Sequence, residues 1–368
     1  MDVEVNRQSL VAALGWTQNI VERRHLMPII SNALFEAHDG KIRLTATDME
    51  VGVRSYIKGD VKVDGRITLG AKKLHDFAQN SLTDTVRLIQ LDSNYVEVRS
   101  GRACYKIVGL SADEFPTFPE FDASLLAYVP STVLSSMIHR TIFSASTDPT
   151  RQEFNGVCLE SGDNDALSMI ATDTRRIALE TQQIGNIGLR EAVILPRKGV
   201  TELQRLLEQS GETIASIGFI DNMMFAIKDD VELFMRLIDG KFPNVRAAIP
   251  ADSPLTAIVD CAEFIRCLRR LTILISEENN VVRMEFSDGL LRMLSRNPSL
   301  GEAVEEIEIK YVGDPLVVGF NPRHILDVLE MLDGGPIMLS MGEGLRPVLV
   351  SKSDAPGYIY AMMPMRLS

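Results

Sequence analysis

Cysteine is scarce in this sequence: four in 368 residues, Cys104, Cys158, Cys261 and Cys267, none paired as Cys-x-x-Cys. Such scatter reads as reduced thiols of a cytoplasmic protein, not as a disulfide framework. Long apolar runs are absent too. None approaches the length needed to span a bilayer, and charges interrupt the first ten residues, so a signal-peptide core is excluded. Histidine is rare: His25, His38, His75, His139 and His324 stand apart, without metal-ligand spacing. A Walker-type glycine loop, a Gly-x-Ser-x-Gly elbow and a His-Glu-x-x-His pair are all missing. These absences lead us to expect no catalytic residue, no metal and no cofactor. Positive charge is in deficit: the net charge is −12 and the isoelectric point near 5.0. That argues against a generic nucleic-acid binder, whose footprint is basic.

What the chain does have is a threefold repeat, with landmarks recurring at about 125 residues. Each repeat opens on an amphipathic helix, expected over 6–21, 130–145 and 260–275. Phe264, Ile265, Leu268, Leu271 and Ile275 keep helical spacing in the third. Pro130-Ser131-Thr132 reads as a cap with proline in the first turn. A strand then runs into a second helix, over 71–80, 196–209 and 321–332. Each repeat closes on Phe115-Pro116, Phe242-Pro243 or Met363-Pro364. Ala46-Thr47-Asp48 is echoed by Ala171-Thr172-Asp173 and, degraded, by Ser295-Arg296-Asn297. Between the helices lie alternating strands such as Lys41-Ile42-Arg43-Leu44-Thr45-Ala46, whose phase slips at Asp48-Met49, predicting a bulge or tight turn. Gly342-Glu343-Gly344 reads as a hairpin turn. Because Asp48 and Asp173 recur in equivalent places, they are assigned to turns and not to a catalytic carboxylate pair. Domains are expected at 1–121, 128–250 and 251–368, with linkers near 121–128 and 250–255.

The six helices together carry +4, five at +1 and the last at −1, leaving −16 elsewhere. A chain so divided can face DNA with its helices and repel it with the rest.

Five segments in order resemble the beta subunit of bacterial DNA polymerase III, the sliding clamp family. They are Arg24-His25-Leu26-Met27-Pro28-Ile29, Ala171-Thr172-Asp173-Thr174-Arg175-Arg176-Ile177-Ala178, Pro196-Arg197-Lys198-Gly199-Val200, Asp239-Gly240-Lys241-Phe242-Pro243 and Met363-Pro364-Met365-Arg366-Leu367. The resemblance spans essentially the whole chain. It implies an α+β fold of three clamp-type domains, two helices packed on antiparallel sheets in each, and a head-to-tail dimer forming a six-domain ring with helices lining the hole. Twelve helices about 8–10 Å apart give a hole about 30–38 Å across, wide enough for duplex DNA with water and ions, whereas six give roughly 15–19 Å.

The family's partner cleft maps onto Phe154, Thr172, Thr174, Arg175, Arg176, Ile177, Pro243, Ala247, Asn321, His324, Leu345, Ala361, Met362, Met363, Pro364, Met365, Arg366 and Leu367. There it would take leucine and phenylalanine of short linear peptides from a polymerase alpha-type subunit, the clamp loader and repair polymerases. Methionine suits a surface shared by several partners, because it repacks readily. DNA contacts are expected from Arg24, Lys72, Lys73, Arg151, Arg197, Lys198 and Arg205, and the dimer seam from Tyr105 and Ile107 against Ile273 and Leu274. The sequence departs from the enterobacterial pattern at Thr174-Arg175, where Gly-His is usual. His324 replaces a tyrosine, Gln152-Glu153 replace an aromatic pair, and Ser368 is an addition. Two alternatives remain open at this point: a peptide-binding scaffold with no DNA role, and a hydrolase built on three repeats.

Overall fold

The computed structural model describes residues 1–21, 27–276, 280–332, 334–342 and 344–367. Arg24, Ser368 and Glu343 of the expected turn therefore lie outside the described residues. The chain forms two compact units: Met1–Thr132 with Asn186–Leu189 and Lys198–Leu237, and Val133–Gly185 with Arg190–Arg197 and the chain from Ile238 on. The boundary passes through the middle repeat.

Six helices match the expected positions: α1 (Arg7–Ile20), α2 (Ala71–Gln79), α3 (Ser131–Thr141), α4 (Arg197–Glu208), α5 (Cys261–Leu271) and α6 (Pro322–Met331). Their starts follow from local chemistry. The Asn6 side chain accepts from the amides of Gln8 and Ser9 at 2.9 and 3.1 Å, Asp260 from Glu263 at 2.8 Å, and Asn321 from Arg323 at 3.0 Å. Pro130 is a correction. It ends the strand Ala127–Pro130, and α3 starts one residue later. That strand lies at a sheet edge, where proline's missing N–H removes no ladder bond.

In the first unit a twelve-stranded antiparallel sheet runs from the edge strand Ala103–Val108 to Ala127–Pro130. Its pivot is the 13-residue strand Val51–Val63. One end of it pairs with Asp2–Asn6 and the other with Val231–Arg236 of the next repeat, Val53 opposite Leu233. Leu10, Ala13 and Leu14 of α1 and Ala71, Leu74 and Ala78 of α2 pack onto Val3, Phe35, Leu44, Leu69 and Val98.

The second unit repeats the device. Arg176–Gln183 pairs with Tyr358–Met362 in a nine-stranded sheet, and a four-stranded sheet (Gly301–Glu308, Leu290–Asn297, Val282–Ser287, Leu316–Phe320) accompanies it. Phe264, Leu268 and Leu271 of α5 and Ile325, Val328 and Leu329 of α6 fill its core with Phe286, Leu339, Tyr358 and Tyr360. The sheets thus continue from one repeat into the next, where the sequence led us to expect a set for each. Among the described residues no helix is long and apolar enough to cross a membrane.

Gly156 opens the strand that carries the chain away from Phe154, and it sits opposite Pro196. A Cβ there would lie 2.1 Å from the Leu195 carbonyl oxygen, a backbone atom that cannot swing aside. Gly156→Ala is expected to destabilise the fold by about 2 kcal/mol or more. Urea unfolding would show a lowered midpoint, and an unchanged one would contradict the close approach.

Candidate peptide cleft and nucleic-acid surfaces

The cleft is built around one turn. The Thr172 hydroxyl donates to the Arg176 carbonyl at 2.6 Å and accepts from the Thr174 amide at 3.0 Å. Asp173 accepts from the amides of Arg175 and Arg176 at 2.9 and 3.0 Å. The first repeat has the same turn: Thr47 binds the Val51 carbonyl and the Met49 amide, and Asp48 the amides of Glu50 and Val51. Two aspartates at matching places are turn residues, as their recurrence suggested. The phase slip at Asp48-Met49 is this turn.

Arg176 leaves the turn and stays largely buried. Its Nε meets Asp173 at 2.9 Å, one terminal nitrogen Asp327 of α6 at 2.5 Å, and the other the Phe143 carbonyl at 2.8 Å. Its guanidinium stacks 5.5 Å from the Phe143 ring centre. Three of its five N–H donors are thereby engaged, so its main work is to tie the turn to α6.

Ten of the expected cleft residues, Phe154, Thr172, Thr174, Arg175, Arg176, Ile177, Pro243, Ala361, Met362 and Met363, line one cavity of about 260 Å³. Asn244, Val245, Ala248 and Pro347 complete it and were missed. Ala247 is not in the lining. Val245–Ala248 is a single 3-10 turn, and with three residues per turn Val245 and Ala248 share a face that Ala247 does not. Arg366 and Leu367 line a different cavity of about 640 Å³, beside Arg283 and Glu302. Asn321, His324, Leu345, Pro364 and Met365 line neither. Met365 does hold the tail down, its amide donating to the Gly319 carbonyl at 2.8 Å. Under the first cavity, burial pushes the Cys158 thiol up to about 12, so it stays protonated and is a poor nucleophile.

The expected DNA-facing cations divide into two groups. Lys72, Lys73 and Arg151 are exposed. Lys198 binds Asp48 and the carbonyl of Ile20, the last residue of α1. Arg205 donates to the Gly15 carbonyl at 3.1 Å and lies 4.4 Å over the Trp16 ring, and Arg197 donates to the Ala145 carbonyl at 3.2 Å. These three meet carbonyls in or just beyond other helices, where a cation balances partial negative charge.

The expected seam residues lie on exposed ground. Tyr105, 57% exposed, packs edge-on to Phe77 at 4.7 Å. Together with Ile107 it lines a cavity of about 880 Å³ on the edge strand Ala103–Val108. Ile273, 73% exposed, and half-buried Leu274 sit in the turn that ends α5. His38, Asp39 and Asp64 form a metal-type cluster, but all are exposed, and each His38 ring nitrogen already faces a carboxylate at 2.7 or 3.2 Å.

His324, whose carbonyl accepts from the Tyr360 hydroxyl at 2.8 Å, has its imidazole lowered below the ordinary value. Burial is the main cause and the Arg176 charge the next; Asp173 and Asp327 oppose them. A depressed histidine favours the fold above its unfolded pKa of about 6.5 and loses that favour as pH falls toward its folded value. Wild type should therefore lose stability relative to His324→Gln between pH 7.5 and 5. Paired urea titrations would show the difference, and a wild-type advantage that grew on acidification would contradict it.

Comparison with known proteins gives this geometry its context. Residues 1–119, 128–244 and 246–366 match the N-terminal, central and C-terminal domains of the DNA polymerase III beta subunit. The beta sliding clamp of Pseudomonas aeruginosa is 32% identical over 371 residues, covering 100% of both chains. The DNA polymerase sliding clamp of Bacillus subtilis superposes with a TM-score of 0.93 at 26% identity and 100% coverage of both chains. That of Bartonella birtlesii, bound to griselimycin, does so at 0.95 and 26%, again over both whole chains. With its full length matched domain by domain, the chain belongs to the DNA polymerase III beta subunit family, the bacterial sliding clamps.

Proposed function

We propose that two copies of the chain close head to tail into a ring around duplex DNA and carry replication enzymes on a peptide cleft. The protein is a sliding clamp, a processivity factor without a catalytic site of its own. The observation that carries the cleft is the 260 Å³ cavity, walled by Phe154, Ile177, Pro243, Met362 and Met363 with arginines at its side. Such a pocket takes an apolar anchor from a short linear peptide and orients its polar neighbours. A polymerase alpha-type subunit, the clamp loader and repair polymerases are the partners we assign to it, and the cytoplasm is the place. The griselimycin-bound relative supports a ligand-taking surface. Three repeats bounded near 121–128 and 250–255 are the units we assign to the ring.

Charge supports the seam. The edge strand Ala103–Val108 carries Lys106, with Arg99 and Arg102 just before it, whereas the edge strand Gly301–Glu308 carries Glu302, Glu305, Glu306 and Glu308. Glu302, Glu305 and Glu306 already pair with Arg296, Arg270 and Arg292, so the charge contrast is partial; the two edges, flanked by Tyr105 and Ile107 on one and Ile273 and Leu274 on the other, suit head-to-tail pairing. A ring of two copies then has two identical seams. Ile273→Ala with Leu274→Ala is expected to remove roughly 3 kcal/mol or more per seam, and because dissociation breaks both seams the dimer dissociation constant should rise at least about ten-thousandfold. Light scattering should find a folded monomer near 40.8 kDa at micromolar concentration. An undiminished dimer would place the seam elsewhere.

The grip on DNA is topological, with weak, sequence-blind phosphate contacts from cations such as Lys72, Lys73 and Arg151. Protein loaded on nicked circular duplex should survive gel filtration and be lost once a restriction enzyme linearises the circle. Equal retention on both forms would exclude encirclement, and retention on neither would favour the scaffold with no DNA role.

A further inference from the structure

Thr174 holds a backbone angle that its side chain resists. Its φ is 75°, in the left-handed region where a Cβ crowds the carbonyls and a branched Cβ is least tolerated. The turn imposes the angle: Thr172 and Asp173 fix the amides of the next three residues. The twin turn shows that the constraint is local. There Thr47 and Asp48 make the same bonds, and Met49 has φ 76°. Glycine would satisfy either turn without strain, yet both positions carry a side chain. The surroundings differ. Both side chains are exposed, but Thr174 forms part of the wall of the 260 Å³ cavity and Met49 does not. In a space that small, a methyl and a hydroxyl on the rim decide what fits.

We propose that Thr174 is a specificity-determining residue of the cleft, kept in a strained conformation because the bulk of its side chain limits the size of the peptide anchor the cavity admits. The inference rests on the peptide-cleft reading and extends it to the choice among ligands. Strain relief and anchor choice are separate readouts, and the twin turn supplies the control.

The test uses the full-length protein as wild type, Thr174→Gly, Thr174→Val and Met49→Gly. Two labelled peptides are titrated by fluorescence anisotropy: a Gln-Leu-x-Leu-Phe-type sequence and a copy ending in tryptophan. Both glycine variants should melt about 1–2 °C higher, strain relief outweighing the added freedom of the unfolded chain. Thr174→Gly should shift the affinity ratio toward the tryptophan peptide by at least about fivefold. Met49→Gly and Thr174→Val should keep the wild-type ratio, the latter because valine preserves the branched shape. An unchanged ratio in Thr174→Gly overturns the proposal. So does an equal shift in Met49→Gly or in Thr174→Val, or the absence of any rise in melting temperature for the glycine variants. Wild type that bound neither peptide would instead overturn the cleft reading beneath it.

Discussion

Main-chain pairing between successive repeats is the constraint on which the remaining features depend. Val51–Val63 hands one end to Val231–Arg236, and Arg176–Gln183 pairs with Tyr358–Met362. Each pairing buries polar backbone that would otherwise form an exposed sheet edge, and it fixes register residue by residue. The registers are equivalent: Val51 stands opposite Met235 as Arg176 stands opposite Met362. In each junction the Thr-Asp turn comes immediately before the shared strand. The cleft is therefore a by-product of how repeats are joined, and a comparable position exists at the first junction.

Different side chains send the two junctions to different ends. At the first, Lys198 reaches the turn through Asp48, and the bare Gly199 lets Met235 close in, since a Cβ there would lie 2.6 Å from its sulfur. At the second, the strand begins with Arg176, whose large planar group is held by Asp173, Asp327 and the Phe143 carbonyl. An arginine so anchored props the surrounding side chains apart while remaining satisfied itself. Its charge persists although burial opposes it, because the carboxylates of Asp327 and Asp173 that it bonds outweigh that penalty. Repetition provided two similar frames, and one substitution pattern left a cavity of about 260 Å³.

Much of this was legible in the residues. Helix positions were, because apolar residues keep helical spacing there; the caps at Asn6, Asp260 and Asn321 came from the structure, and the one cap expected, at Pro130-Ser131-Thr132, did not form. The turn at Asp48-Met49 was, because alternation broke phase there. Contacts that depend on distant chain were not. That strands would pair across repeats cannot be read from a pattern identical on both sides of the boundary. That Val245 and Ala248 face the cavity while Ala247 does not depends on a 3-10 turn, which three-residue spacing alone does not announce. The left-handed angle at Thr174 was hidden for another reason: threonine is the residue one would least place there.

The cations of α4 illustrate the same limit and bear on how the molecule holds DNA. Sequence counts Arg197, Lys198 and Arg205 as positive charge available to a phosphate, yet each is bound to a main-chain carbonyl, and Lys198 also to Asp48. A phosphate can draw such a side chain only by giving back those bonds, so the net attraction is smaller than the formal charge implies. For an ordinary DNA-binding protein that would be a weakness. For the proposed ring, whose retention would come from closure, strong fixed contacts would resist sliding, and partial neutralisation by helix carbonyls would lower that resistance. In the ring proposed above, the acidic remainder of the chain would repel DNA from the surfaces away from the helices. Net charge of −12, net-basic helices and cations already engaged would then be consistent parts of one requirement of the proposed ring: to surround DNA without gripping it.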